Sequence, residues 1–213
     1  MARIALLSTS DTDLLSGRAS RADFKLANPS RLNVSTELAA TVAGADVIIV
    51  RILGTARSWQ QGLDYVTSQG VPLIVLGGEQ TPDAELMRLS SVPIGIAGTA
   101  HRYLAEGGPA NLAQLHAFIS DTVLLTGEGF SEPTVLPSWG ALDRPALPAT
   151  DKPRPKIGVL FYRAHQASGN TTFVHTLADA IDAGGGQGRP IFCSSLRGAS
   201  TDLLEELGSC DAL

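Results

Sequence analysis

The chain of 213 residues has little of several things, and each shortage excludes a class of protein. It holds two cysteines, Cys193 and Cys210, too few for a disulfide framework. It holds three lysines, Lys25, Lys152 and Lys156, and none follows a glycine, so the Gly-Lys-Ser/Thr of a phosphate-binding P-loop is absent. The arginine excess that results reads as codon usage rather than function. Aromatic residues are 5%, so a core must be built from Ala, Leu, Val and Ile. No run approaches the ~20 apolar residues of a membrane span, and the apolar start Ile4–Leu7 is too short for a secretory leader. The net charge is −5, which argues against nucleic acid or an anionic membrane as the main partner. These absences predict a cytoplasmic protein. With 44% hydrophobic residues, a chain of this length buries enough apolar surface to fold without metal or disulfide.

What is present is an alternation of apolar runs and helical patterns. Ile4–Ser8, Asp46–Val50 and Val71–Leu76 read as continuous buried strands, and Ile94–Ala97 as a weaker fourth. Between them lie helical segments: Leu38–Val42 ending at Gly44, and Trp59, Leu63 and Val66 at helical spacing ending at Gly70. A further helix starts at Thr81-Pro82-Asp83, with Thr81 as cap, and a longer one opens at Pro109. The pattern predicts an open doubly wound parallel α/β sheet of the flavodoxin or Rossmann kind over residues 1–131. Six of the twelve prolines then fall between Pro133 and Pro155, so 132–155 is expected to be a stiff extended linker, pinned by Leu136, Trp139 and Leu142.

From 156 the pattern restarts. Lys156–Tyr162 reads as a first strand, about Asn170 to Ala183 as a helix with Phe173, Val174, Leu177, Ala178 and Ile181 inward, Pro190–Cys193 as a strand, and Thr201–Leu207 as a helix. Asp211-Ala212-Leu213 reads as the start of a third strand. Residues 156–213 are therefore expected to be the beginning of a second α/β domain, cut short, with the polypeptide or its reading frame continuing elsewhere.

Candidate sites follow from the rule that open α/β sheets bind ligands beyond the carboxyl ends of their strands. Gly77-Gly78-Glu79-Gln80 follows the third strand, where two glycines admit either a ligand or a tight turn. His165, with Arg163 before it and Asn170 at the next helix start, follows Lys156–Tyr162. A histidine there can bind metal or move protons, or it can be an exposed residue of a capping loop. Ser194, Ser195 and Arg197 follow Cys193, which reads as a buried thiol; the two hydroxyls and the guanidinium suit an anionic ligand. His116 and His175 sit in helical patterns and read as surface or packed residues, and no metal-ligand spacing occurs.

Several blocks, taken in order, resemble the CobN/magnesium chelatase large-subunit family: Ile157–His165, Gly169–Thr171, Pro190–Arg197, and in the first domain Ser8–Leu15, Leu76–Gln80, Gly107–Leu112 and Leu124–Phe130. The resemblance implies the amino-terminal part of a tetrapyrrole-binding large subunit of aerobic cobaltochelatase, a metal-chelating ligase of cobalamin biosynthesis. Cobalt, the substrate metal, is inserted into hydrogenobyrinic acid a,c-diamide. ATP and Mg are used by partner subunits, an AAA+ ATPase and an integrin-I-domain-like subunit. The resemblance makes His165 the catalytic and metal-facing candidate, with Arg163, Asn170, Ser194, Arg197, Gly77 and Gly78 binding substrate. This stretch alone is expected to be inactive. A magnesium chelatase large subunit acting on protoporphyrin, or a non-catalytic α/β docking fragment of a split gene, are the alternatives.

Overall fold

Runs of aliphatic residues buried on both sides dictate the first sheet. The computed structural model describes residues 2–148 and 153–213 and divides into two units, Met1–Val135 and Leu136–Leu213. The first unit runs β1 (Ile4–Ser8), α1 (Asp11–Ala19), β2 (Phe24–Ala27), a π-helical turn at Val34–Leu38 leading into α2 (Ala39–Val42), and β3 (Val47–Ile52). It continues with α3 (Gln60–Thr67), β4 (Leu73–Gly77), α4 (Ala84–Met87), α5 (Ile94–Glu106) and α6 (Pro109–Val123). The four strands are parallel in the order β2-β1-β3-β4.

Alternation along each strand feeds two cores. Ile4, Leu6, Val47, Ile49, Ile74 and Leu76 face α5 and α6 through Leu104, Leu112, Leu115 and Ile119. Ala5, Leu7, Ile48, Val50, Leu73 and Val75 face Leu38, Val42, Leu63 and Val66 on the other side. Each buried Val, Leu or Ile side chain contributes roughly 1.5–3 kcal/mol by leaving water. Helices cover both faces, which is why the strands read as unbroken apolar runs.

The structure differs from the sequence pattern in several places here, and α1 is an element that the pattern did not predict. Ile94–Ala97 is not a strand but the first turn of α5. Ala97, Ala100, His101 and Leu104 are buried at helical spacing, and that period outweighs a four-residue apolar run. The helix read from Thr81-Pro82 begins later, at Ala84. Asp83 is the cap, its carboxylate accepting from the N–H groups of Glu85 (2.9 Å) and Leu86 (3.1 Å). The edge strand β2 gave no apolar run, because it is only partly buried.

The second unit contains β5 (Trp139–Ala141), β6 (Lys156–Tyr162), α7 (Arg163–Ala167), α8 (Thr172–Ala183), β7 (Gln187–Cys193) and α9 (Thr201–Gly208), with sheet order β5-β7-β6. β6 and β7 are parallel, whereas β5, drawn from the proline-rich stretch, is antiparallel to β7. It lies at a sheet edge, where neighbouring prolines cost no ladder bonds. Trp139 and Leu142 pack against the small cores of this unit. Residues 149–152 of that stretch, Lys152 included, lie outside the described residues. Beside β6, Gly158 N–H donates to Ala212 O (2.8 Å), and Ile157 forms a parallel bridge with Ala212.

Helix α8 buries less than its pattern suggests. Val174 and Ala178 are buried, but Phe173 and Leu177 are 50% and 51% exposed. The reason is the seat of the helix. A Cβ at Gly188 would lie 2.7 Å from Ala178 O, so α8 rests on the bare backbone of β7 along a narrow line. Among the described residues, no helix is long and apolar enough to cross a membrane.

His101 yields a pH prediction. Its ring is 1% exposed and its Nε2 lies 3.0 Å from Glu79 O, so the buried neutral ring donates there. Burial, aided by the Arg51 charge, holds its pKa below the ordinary 6.5, against the pull of the Glu79 carbonyl. Below that value the unfolded chain binds a proton that the native ring refuses. Stability is therefore full above pH 6.5 and falls as the pH drops from there towards the folded pKa. Chemical denaturation against pH will show this slope in the wild type and a shallower one in His101→Gln; equal slopes would remove His101 as the cause.

Candidate functional site

Two strand-end crevices were expected, one in each unit. In the first, the chain fills one with its own arginine. Arg51 sits on β3 among aliphatic neighbours and is 6% exposed. Its Nε donates to Gly77 O (3.3 Å) and its Nη2 to Gly78 O (2.9 Å). Its Nη1 donates to both Asp13 oxygens (2.9 and 3.1 Å) and to Leu104 O (2.9 Å). The Ser8 hydroxyl donates to Asp13 Oδ2 at 2.6 Å. Burial raises the Asp13 carboxyl above its usual range, while Arg51 and Ser8 pull it back down.

The Gly77-Gly78-Glu79-Gln80 block is thereby tied into the fold. A Cβ at Gly77 would come 2.9 Å from Asp83 Cβ, and one at Gly78 would come 2.5 Å from Leu53. Glu79 O meets His101, and Gln80 Nε2 donates to Ala105 O (3.0 Å). The glycines serve close packing and present carbonyls to Arg51. Arg51 and Asp13 were missed from the sequence, although a charge inside Val47–Ile52 was the available signal.

In the second unit the carboxyl ends of β6 and β7 open into a cleft of about 660 Å³. Tyr162, Ser194, Ser195 and Arg197 supply its polar lining, and Leu160, Phe161 and Leu196 its apolar wall. Ser194 Oγ donates to Ser138 O (3.1 Å), and Ser195 Oγ accepts from Arg197 N (3.0 Å). The guanidinium of Arg197 is exposed and unpaired among the described residues. Tyr162, 71% exposed at the strand end, adds an aromatic face that the sequence reading had treated only as strand.

The other expected residues follow β6 on α7 and the turn after it. His165 lies edge-on to Phe173, with centroids 5.1 Å apart at 76°. Its Nδ1 is buried without a hydrogen-bond partner among the described residues. Asn170 is exposed, and its N–H closes the turn onto His165 O (2.9 Å). Arg163 is turned to the backbone: Nε donates to Pro137 O (2.9 Å) and Nη2 to Leu136 O (3.3 Å). It thus holds the segment leading into β5. The structure brings Ser194 and Arg197 into one cleft and puts Arg163 and His165 on α7 and Asn170 after it; Gly77 and Gly78 belong to the other unit. Among the described residues there is no group of three or more His, Cys, Asp or Glu able to hold a metal ion. The cleft suits a flat ligand with carboxylate groups: aromatic and aliphatic walls, hydroxyl groups and, among the described residues, the unpaired Arg197 guanidinium.

A family model described as CobN/Magnesium Chelatase matches residues 101–212. A solved structure, the catalytic subunit of cobaltochelatase from Mycobacterium tuberculosis, is similar at 49% identity and a TM-score of 0.78, covering 99% of this chain and 18% of that one. The aerobic cobaltochelatase subunit CobN of Pseudomonas aeruginosa is 28% identical over 218 residues, and that of a Sinorhizobium species is 28% identical over 230. These alignments cover 92% and 93% of this chain, which spans 18% of the length of each relative.

Two stability outcomes follow. Asp13→Ala leaves the Arg51 charge buried and unpaired, and equilibrium denaturation will show a loss of about 3–5 kcal/mol. Arg163→Ala removes only partly exposed bonds to carbonyls and will cost about 1 kcal/mol. Hydrogen exchange will rise at β5 in that variant; unchanged exchange there would contradict the positioning role.

Proposed function

Because the chain belongs to the CobN/magnesium chelatase family, we propose that it forms an amino-terminal, substrate-facing part of a cobalt-inserting chelatase subunit working in the cytoplasm. The observation that carries this reading is the 49% identity, over 99% of the chain, to a cobaltochelatase catalytic subunit. In this reading the substrate is hydrogenobyrinic acid a,c-diamide and the inserted metal is cobalt. ATP hydrolysis falls to an AAA+ subunit with its integrin-I-domain-like companion. The magnesium branch, with protoporphyrin as substrate, is the rival, and all three relatives described above are cobaltochelatase subunits.

The chemistry assigned to this chain is limited to what its residues offer. Arg197 pairs with a carboxylate of the macrocycle, the Ser194 oxygen accepts from one of its amides, Asn170 supplies a further hydrogen bond, and Tyr162 stacks on its face. Metal entry displaces protons from ring nitrogens, and a neutral imidazole at His165 can accept one. Other donors must complete any metal hand-over, since His165 stands without a ligand cluster among the described residues. Arg163 and the glycines of the first unit act as scaffold in this scheme.

Titrating the assembled chelatase with each macrocycle, followed by absorbance, tests the assignment. The corrinoid will bind more tightly than protoporphyrin, and Arg197→Ala will weaken it about fivefold, the effect of one exposed charge pair. Tighter binding of protoporphyrin would move the chain to the magnesium branch. Corrinoid binding indifferent to Arg197 would take this cleft out of the substrate site.

A further inference from the structure

The carboxyl edge of the first sheet is closed on one face and open on the other. Arg51 and Asp13 fill the side that faces α5. On the α3 side, beyond the ends of β1, β2 and β3, lies a separate cleft of about 610 Å³. Strand order β2-β1-β3-β4 reverses direction between β1 and β3, and Thr9 and Ile52, at the ends of those two strands, both line this cleft. Open α/β sheets place small ligands at such a reversal.

The cleft is built as well as placed. Its apolar wall comes from Pro29, Leu32, Val34 and the half-buried indole of Trp59. The indole lies directly on Gly62, where a Cβ would come within 2.0 Å of the ring, so that glycine admits the ring to its seat. Arg57 lies at the rim, exposed and with no hydrogen bond or ion pair among the described residues. No carboxylate occurs among the described residues lining the cleft. The volume matches a ligand of small-molecule size.

We propose that this cleft binds a small organic anion with a flat aromatic body, the ring stacked on Trp59 and the charge held by Arg57. The assignment is independent of the chelatase reading, which rests on the second unit. A guanidinium with no internal acid favours a single negative charge, and an indole face favours a planar ring.

The probe is 8-anilinonaphthalene-1-sulfonate, a flat aromatic anion, compared with its uncharged relative N-phenyl-1-naphthylamine, both titrated into the whole chain. The sulfonate will occupy one saturable site with energy transfer from Trp59, and the transfer will fall in Trp59→Phe but not in Trp139→Phe. Arg57→Gln will weaken the sulfonate about fivefold and leave the neutral dye unchanged. Gly62→Ala suits a helix better than glycine, so it keeps the fold. It will expel the indole and weaken both dyes. Sulfonate affinity that is unchanged by Arg57→Gln, or that falls with Arg197→Ala instead, would overturn the proposal.

Discussion

The guanidinium of Arg51 is the constraint on which the first unit depends. It is a fixed positive charge on the third strand of a sheet whose other buried positions are almost all aliphatic. A charge there is tolerable only if every N–H finds an acceptor. The fold supplies these from several elements: the Asp13 carboxylate on α1, the ends of β4 at Gly77 and Gly78, and the Leu104 carbonyl on α5. One side chain thereby fixes where a strand stops and where two helices sit. The bare backbone at Gly77 and Gly78 follows, because a side chain at either would collide with Asp83 or Leu53. Such a network sets geometry more than it adds stability, since two desolvated charges return little net energy.

Among its described residues the second unit has no comparable internal plug. Its strands β6 and β7 end in an open cleft with a guanidinium unpaired among the described residues, and β6 is only partly buried along its length. Its cores are small, built around Ile191 and Leu203 on one side of the sheet and Val174 and Phe161 on the other. Phe173 and Leu177 stand half exposed, Phe173 with the His165 ring against it. Low burial and open strand ends go together physically: a cleft able to take a large flat ligand is one that the chain's own side chains do not fill.

Much of this fold was legible in the sequence for a simple reason. Strands covered on both faces write themselves as unbroken aliphatic runs, and Ile4–Ser8, Asp46–Val50 and Val71–Leu76 were read accordingly. The failures occurred where local pattern is ambiguous. Ile94–Ala97 is too short a run to separate strand from helix, and only the burial of Ala100, His101 and Leu104 decides it. Thr81 and Asp83 are both good caps, and the choice depends on where Gly77 lets the chain turn. For the candidate site, the position of Ser194 and Arg197 at a strand end was readable from the order of elements. The turning of Arg163 onto the carbonyls of Leu136 and Pro137 was not, because its partners lie 26 and 27 residues away.

The resemblance itself divides by the same logic. In the first unit its blocks coincide with internal ties. Asn111 donates to Gly107 O and Thr134 O and accepts from Thr134 N; Phe130 meets Phe118 edge-on at 5.0 Å; Gly77–Gln80 closes around Arg51 and α5. Residues held so tightly identify a fold, since changing them breaks packing whatever the protein binds. In the second unit the blocks also carry side chains without a hydrogen-bond or ion-pair partner among the described residues, Arg197 and the exposed Tyr162 among them. A side chain whose charge or aromatic face has no internal partner is free to meet a ligand, and otherwise it meets water. The family match itself spans residues 101–212, so it takes in α6, the end of α5 and almost all of the second unit, and none of the strands β1 to β4.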